Sequence, residues 1–146
     1  MRLSRFSDIG MRALLLLAAE PGRVMATTEM AVRLRVSRDH LAKSLQALQG
    51  ADVVRSTRGR DGGFSLRASP DSLRLGQLVK RLEPSLALAE CFEPQSTCPL
   101  TGRCRLAGVL AEAQVSFFDT LDDYTLADLV HADRDTLVQI GGLRAS

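Results

Sequence analysis

The sequence predicts a mainly helical protein with one small β-hairpin, and three observations carry that expectation. Apolar residues recur at spacings of three and four through most of the chain, which is the helical period. One stretch breaks that period: residues 52–57 are β-rich, residues 58–63 are turn-forming, and Phe64-Ser65-Leu66-Arg67 alternates apolar with polar. Hydroxyl and acidic residues stand before the helical runs, and Pro or Gly stands after several of them.

Each element can be justified in turn. Ser4 or Ser7 is placed to cap a first helix, with Asp8 in its first turn where a negative charge suits the helix dipole. Ile9, Ala13, Leu14, Leu16 and Leu17 give it a broad apolar face, and Glu20-Pro21-Gly22 ends it. Thr27 or Thr28 caps a short second helix through Leu34, with Met30, Ala31 and Leu34 inward. Ser37 caps a third, whose Leu41, Leu45 and Leu48 make a one-faced stripe, and Gly50 is a good stop. The hairpin follows. Asp71 or Ser72 opens a fourth helix that carries Leu75, Leu78, Val79 and Leu82 and ends at Glu83-Pro84. A Pro- and Gly-containing loop leads to the longest helical pattern, about residues 104–121, where Leu106, Leu110, Ala113, Phe117 and Leu121 share a face. Thr125 or Asp123 caps a last short helix, and residues 133–146 read as a flexible tail.

Composition sets the class. The chain has 146 residues, 45% hydrophobic and 25% charged, which fits one domain with an appendage and excludes a disordered chain, a collagen-like chain and a multidomain enzyme. The longest apolar stretch, residues 13–19, is far below the roughly 18 residues of a membrane span. The polar N-terminus does not resemble a signal peptide, so a cytoplasmic protein is expected. Charge is divided: residues 1–82 hold 15 Lys+Arg against 7 Asp+Glu, a net of +8. Residues 83–146 hold 4 against 10, a net of −6.

A basic half points to a polyanion. Two short helices joined by a tight turn and followed by a basic hairpin read as a winged helix-turn-helix for double-stranded DNA. A helix fits the major groove, and its N-terminal side chains reach base edges there. The third helix offers Arg38 and His40 for bases, Lys43 for phosphate, and Asp39 and Ser44 on the same face. Ser37, Thr27 and Thr28 bring hydroxyls and helix N-terminal amides to the backbone. Arg58 and Arg60 flank the hairpin tip, where Gly62 and Gly63 let the backbone approach DNA closely. A solvated charged face is the plainer alternative. The long apolar helix on so small a protein calls for a partner, and a second copy of the chain is expected to supply it.

Cys91, Cys98 and Cys104 fall in one fourteen-residue window. Their number excludes a complete intrachain disulfide framework, and clustered thiols in a reducing compartment more often bind metal or do redox work. An iron–sulfur cluster needs about four ligands, so one is missing. Neither histidine lies in the segment; Asp8, Glu90, Glu93, water or a small molecule remain as candidates for it. Zinc, free thiols and a regulatory disulfide stay open. No nucleophile elbow, Walker loop or histidine-rich metal set is present, so an enzyme is not expected.

Several stretches resemble the family of iron–sulfur winged-helix transcriptional regulators that includes IscR and NsrR. Arg5-Phe6-Ser7-Asp8-Ile9-Gly10-Met11-Arg12 is similar to the family's first helix, Val36-Ser37-Arg38-Asp39-His40-Leu41-Ala42-Lys43 to its recognition helix, and Arg58-Gly59-Arg60-Asp61-Gly62-Gly63-Phe64 to its wing. Residues 121–130 resemble the nitric-oxide-sensing NsrR branch. The resemblance covers roughly residues 1–130. IscR-like members carry a histidine just after the third cysteine; here the stretch reads Cys104-Arg105-Leu106-Ala107-Gly108. The resemblance therefore implies three cysteine ligands with Asp8 of the other subunit around a [4Fe–4S] cluster, with [2Fe–2S] as the alternative. Arg12, one turn on, would orient Asp8.

The organisation implied is a winged helix-turn-helix over 1–83, a cluster-binding loop over 84–104, a dimerisation helix and C-terminal helix over 105–132, and the tail. The function implied is a homodimeric repressor of palindromic promoter DNA that releases it on nitrosylation of the cluster. Two alternatives are a regulator of the same fold that answers iron, cluster supply, zinc or thiol redox state, and an iron–sulfur electron-transfer protein.

Overall fold

A computed structural model describes residues 2–132 and Leu137. The expected flexible tail, residues 133–146, lies outside the described residues apart from Leu137, which is partly buried against the core.

The helices are α1 (Arg5–Ala19), α2 (Thr27–Leu34), α3 (Arg38–Gly50), α4 (Leu75–Leu82), α5 (Arg105–Asp122) and α6 (residues 126–132). The hairpin pairs β1 (Val54–Thr57) with β2 (Gly63–Leu66), antiparallel, from Val54↔Leu66 to Thr57↔Gly63. This is the expected mainly helical architecture with a β-hairpin wing. One core unites α1, α2, α3, α4, α6 and the root of the hairpin. Ile9, Leu14, Leu16, Leu17, Met25, Met30, Leu41, Leu45, Leu48, Leu78, Leu82 and Leu126 are its largest members, each fully buried. Burying one such side chain contributes roughly 1.5–3 kcal/mol, so this core, and not the exposed ion pairs, holds the helix-turn-helix in shape.

Local sequence explains most boundaries. Ser4 caps α1, its hydroxyl accepting the Ser7 N–H at 3.1 Å, and Glu20 ends the helix. Thr125 caps α6 reciprocally: its Oγ1 accepts the Asp128 N–H, while the Asp128 carboxylate accepts the Thr125 N–H and hydroxyl. Those bonds, the backbone one first, hold Asp128 below the usual carboxylate range.

Two boundaries differ from expectation. The N-cap of α2 is Ala26 rather than Thr27 or Thr28, and Thr27 is the first helical residue. The reason is non-local: Met25, just before the cap, pairs with Phe64 of the wing, fixing where the chain turns into the helix. Likewise Asp71 and Ser72 do not open α4; they sit in a 3₁₀ turn, Pro70–Ser72, and α4 starts at Leu75. Between them Arg74 lies opposite Thr125 in an isolated antiparallel bridge, with Leu126 N donating to Leu73 O (2.9 Å) and Leu75 N to Tyr124 O (3.0 Å). An extended pairing across fifty residues overrides the local helix signal.

The stripe on α5 is largely uncovered. Phe118 alone is buried; Leu106, Val109 and Val115 are 63%, 53% and 59% exposed. The C-terminal end of α5 packs on α4, while much of its apolar surface meets no other element. No described helix is long and apolar enough to cross a membrane.

Candidate nucleic-acid interface and cysteine loop

The turn between α2 and α3 is set by Arg35, which adopts the left-handed conformation (φ 53°) at the end of α2 and donates its N–H to that helix's carbonyls. After it, Arg38, Asp39, His40 and Lys43 are all exposed on one side of α3. Ser44 is not with them. It is fully buried, and its hydroxyl donates to Phe6 O at 2.9 Å and His40 O at 3.2 Å. It completes the Leu41, Leu45, Leu48 stripe and ties α3 to the start of α1, so its expected place on the exposed face is corrected.

Thr28 and Ser37 are exposed near the helix starts, and Thr27 is half-buried. Neither α2 nor α3 has a side-chain cap at its N-terminus, which leaves their first N–H groups free for another acceptor.

The wing stands beside α2. Arg58 and Arg60 are exposed at its tip, where Gly59 takes φ +112° and accepts the Gly62 N–H at 3.1 Å. Gly63 is a close-approach position: a Cβ there would collide with the Met25 carbonyl and the Ala26 nitrogen. Met25 N donates to Phe64 O at 2.9 Å and Phe64 N to Met25 O at 2.8 Å, so the wing is stitched to the entrance of α2.

A feature the sequence reading missed braces the same corner. Arg33 of α2 is buried, and its guanidinium pairs with Glu20 at the end of α1 and with Glu29 (3.0 Å), while Arg23 joins the same two carboxylates. The Glu29–Arg33 spacing of four was the available signal. Burial raises the pKa of Glu20, but the Arg33 and Arg23 guanidiniums outweigh it and hold this carboxyl below its usual range. A carboxyl depressed in the folded state contributes stability that is complete above its unfolded pKa and is lost as pH falls through the folded value. The melting temperature is therefore expected to drop as pH is lowered through the carboxylate range, and the drop is expected to be shallower in Glu20→Gln. Equal slopes for the two proteins in a calorimetric pH series would refute this role.

The acidic-half loop carries the thiols. Cys91 lies in a 3₁₀ turn, Glu90–Phe92; Cys98 is in the following irregular segment; Cys104 is the N-cap of α5, without a side-chain cap bond. All three are half-buried and free. Glu90 accepts the Thr97 hydroxyl (2.8 Å) and N–H (3.1 Å), which together pull its pKa down. Glu93 accepts the Ser85 hydroxyl. Cys98 O accepts both the N–H (3.1 Å) and the hydroxyl (2.8 Å) of Thr101. Asp8 is half-exposed and forms a two-point ion pair with Arg12 (2.9 and 2.8 Å), as expected from their spacing. Among the described residues no three His, Cys, Asp or Glu side chains converge on a metal-binding position, so Cys91, Cys98, Cys104 and Asp8 are not brought together within the single chain.

Comparison with known proteins agrees with this architecture. The family model Rrf2, described as an iron-dependent transcriptional regulator, matches residues 3–132. The HTH-type transcriptional regulator NsrR of Shouchella clausii (strain KSM-K16) is 35% identical over 137 residues, 92% of either chain. Among solved structures, IscR of T. potens superposes with a TM-score of 0.74 at 23% identity, over 100% of this chain and 93% of that one. CymR, the global cysteine regulator of B. subtilis, gives 0.71 at 22% identity, over 90% and 98%. At such identities the two structures show the fold alone; the relatives are transcriptional regulators and not enzymes. With a family model matched from residue 3 to residue 132 and a winged, mainly helical fold, the chain belongs to the Rrf2 family of transcriptional regulators.

Proposed function

We propose that the protein is a nitric-oxide-responsive repressor that binds palindromic promoter DNA as a homodimer while holding an iron–sulfur cluster. The observation that carries the reading is the joining of two features in one small chain: a cationic winged head, and three unpaired thiols on a single loop entering an apolar, uncovered helix. The 35% identity to NsrR supports the choice of signal.

The donor chemistry fits. Cys91, Cys98 and Cys104 would supply three thiolates, and Cys104 stands at the N-cap of α5. Asp8 of the second subunit would supply the oxygen ligand, in [4Fe–4S] or [2Fe–2S] coordination. When bound, the cluster supplies iron that reacts with nitric oxide. The loop is free to adapt, because its hydrogen bonds around the cysteines run among its own residues. Arg12 holds the Asp8 carboxylate oriented at the head of α1, and α1 carries the Ser44 anchor of α3. A change at Asp8 thus reaches the recognition helix through packed elements.

On DNA, Arg38 and His40 would meet base edges and Lys43 a phosphate. Thr27, Thr28 and Ser37 would meet the backbone, and Arg58 and Arg60 the groove beside the wing, with Gly62 and Gly63 holding the tip close. The second subunit would cover Leu106, Val109 and Val115 of α5. Two-fold symmetry then places half-sites about 34 Å, or a multiple, apart.

Three free, half-buried thiols also admit a second reading, a regulator that uses them without iron. Purification without oxygen, followed by absorbance and by iron and sulfide counting, separates the two: bound iron and sulfide support the first reading, and a colourless zinc protein the second. Titration with nitric oxide while DNA binding is followed tests the signal. Lys43→Ala is expected to weaken binding to all sequences alike and to flatten the slope of log K against log salt by about 0.9. Arg38→Ala is expected to cost about 1–3 kcal/mol at the cognate site only. A salt slope unchanged in Lys43→Ala would remove that residue from the interface.

A further inference from the structure

The C-terminal end of α5 is clamped to the winged head by several contacts, and one carboxylate is at the centre of them. The N-terminus of α4 has no cap of its own: its N-cap residue is Arg74, which makes no side-chain cap bond. Asp122, the last residue of α5, takes that place from outside, its Oδ1 accepting the Gln77 N–H at 3.0 Å. Its Oδ2 lies 3.5 Å from Lys80 Nζ, and that ammonium sits 4.6 Å from the centre of the Phe118 ring, also on α5. Arg74 donates to the Asp122 carbonyl at 3.2 Å. A Cβ on Gly76 would run into the Asp122 carboxylate, so the close contact requires a residue without a side chain there. The bridge between Arg74 and Thr125 closes the far side.

We infer that Asp122 is a positioning residue for DNA recognition: by capping α4 it fixes the angle at which α5 leaves the winged head, and so sets the half-site spacing that the dimer accepts. The inference rests on the reading of the protein as a homodimeric, DNA-binding regulator joined along α5. The leverage is large. Thirteen residues separate Val109, in the exposed apolar stretch, from Asp122, a helical distance of about 20 Å. A tilt of about 10° at the clamp moves Val109 by about 3.4 Å, the rise of one base pair. A loose clamp would therefore let a dimer tolerate spacings that a rigid one rejects.

The test uses the full chain. Wild-type protein selects its own operator from random duplexes, and a series is built from that operator with the central spacer lengthened or shortened by one and two base pairs. Wild type is expected to prefer one spacing at least tenfold over its neighbours. Asp122→Ala, checked for unchanged dimer mass and circular dichroism, is expected to lose at least tenfold at the preferred spacing and to discriminate among spacers less than threefold. Asp122→Asn keeps an oxygen for the Gln77 N–H and is expected to restore most of the preference. Lys80→Met, an exposed change that spares the fold, is expected to flatten the profile partly and serves as the deciding variant if Asp122→Ala does not fold. A folded Asp122→Ala with the wild-type spacing profile overturns the inference, as does a wild-type profile in Lys80→Met where that variant decides. A wild type that selects no two-fold site instead overturns the dimeric reading beneath it.

Discussion

Replacing Gly63 by valine is expected to lower affinity for operator DNA at least thirtyfold while leaving the helical content unchanged. The position has no room for a side chain: any Cβ would meet the Met25 carbonyl and the Ala26 nitrogen, and valine adds two methyl groups to that collision. Strand β2 must then move off Met25, breaking the pair of backbone bonds between Met25 and Phe64 (2.9 and 2.8 Å). Losing them costs about 0.5–1.5 kcal/mol each, and forcing bulk into a closed contact costs about 1–3 kcal/mol more. Most of the core survives, because its largest fully buried side chains other than Met25 lie on the helices. Recognition does not survive intact. Arg58 and Arg60 ride on the displaced hairpin, and the start of α2, which has no side-chain cap of its own, is unpinned. A loss of about 2 kcal/mol in binding is roughly a thirtyfold change. Fluorescence anisotropy with the selected operator, alongside circular dichroism, measures both halves. Wild-type affinity in a folded Gly63→Val protein would show that the stitch between wing and α2 has no part in binding.

The same stitch shows what the sequence made legible and what it hid. Elements whose signals are local were readable: the Ser4 cap, the Thr125 cap, the apolar stripes of α1, α3 and α4, and the glycine-rich turn of the wing. The winged helix-turn-helix followed from them. Boundaries set by distant partners were not. Thr27 carries the hydroxyl that favours a cap, yet Met25 pairs with Phe64 and Thr27 becomes the first helical residue. Asp71 and Ser72 were displaced in the same way by the pairing of Leu73 and Arg74 with residues 124–126. Ser44 illustrates an error of residue type over position. It lies three residues after Leu41 and four before Leu48, on the buried stripe, and a serine with two carbonyl acceptors is content there. The Glu29–Arg33 spacing is visible in the sequence, but the burial of Arg33 is not, because it depends on Glu20, thirteen residues away, arriving at the end of another helix.

Cys98→Ala is expected to reduce bound iron and sulfide after reconstitution without oxygen to less than a tenth of wild type, and to leave DNA binding indifferent to nitric oxide. The substitution is a clean removal of one thiol. Cys98 is half-buried, and what fastens it to its loop is its backbone: the carbonyl accepts from Thr101 and the N–H donates to Ser96 Oγ at 3.3 Å. Alanine keeps all of these, so stability should stay within about 0.5 kcal/mol, as for other substitutions in exposed loops. The ligand set does not tolerate the loss as easily. A cluster needs about four ligands, and with three thiols in the chain the removal of one leaves two and an oxygen. Asp8→Ala provides the contrast. It breaks only a half-exposed ion pair with Arg12, worth about 0.5 kcal/mol, and leaves every thiol in place. It is expected to retain more iron than Cys98→Ala while binding DNA more weakly than wild type, because the connection from the loop to α1 would be cut and the loop itself spared. Full iron content in Cys98→Ala would exclude the three cysteines as the ligand set. Iron lost with no change in DNA binding would leave them as ligands and sever them from control of the winged head.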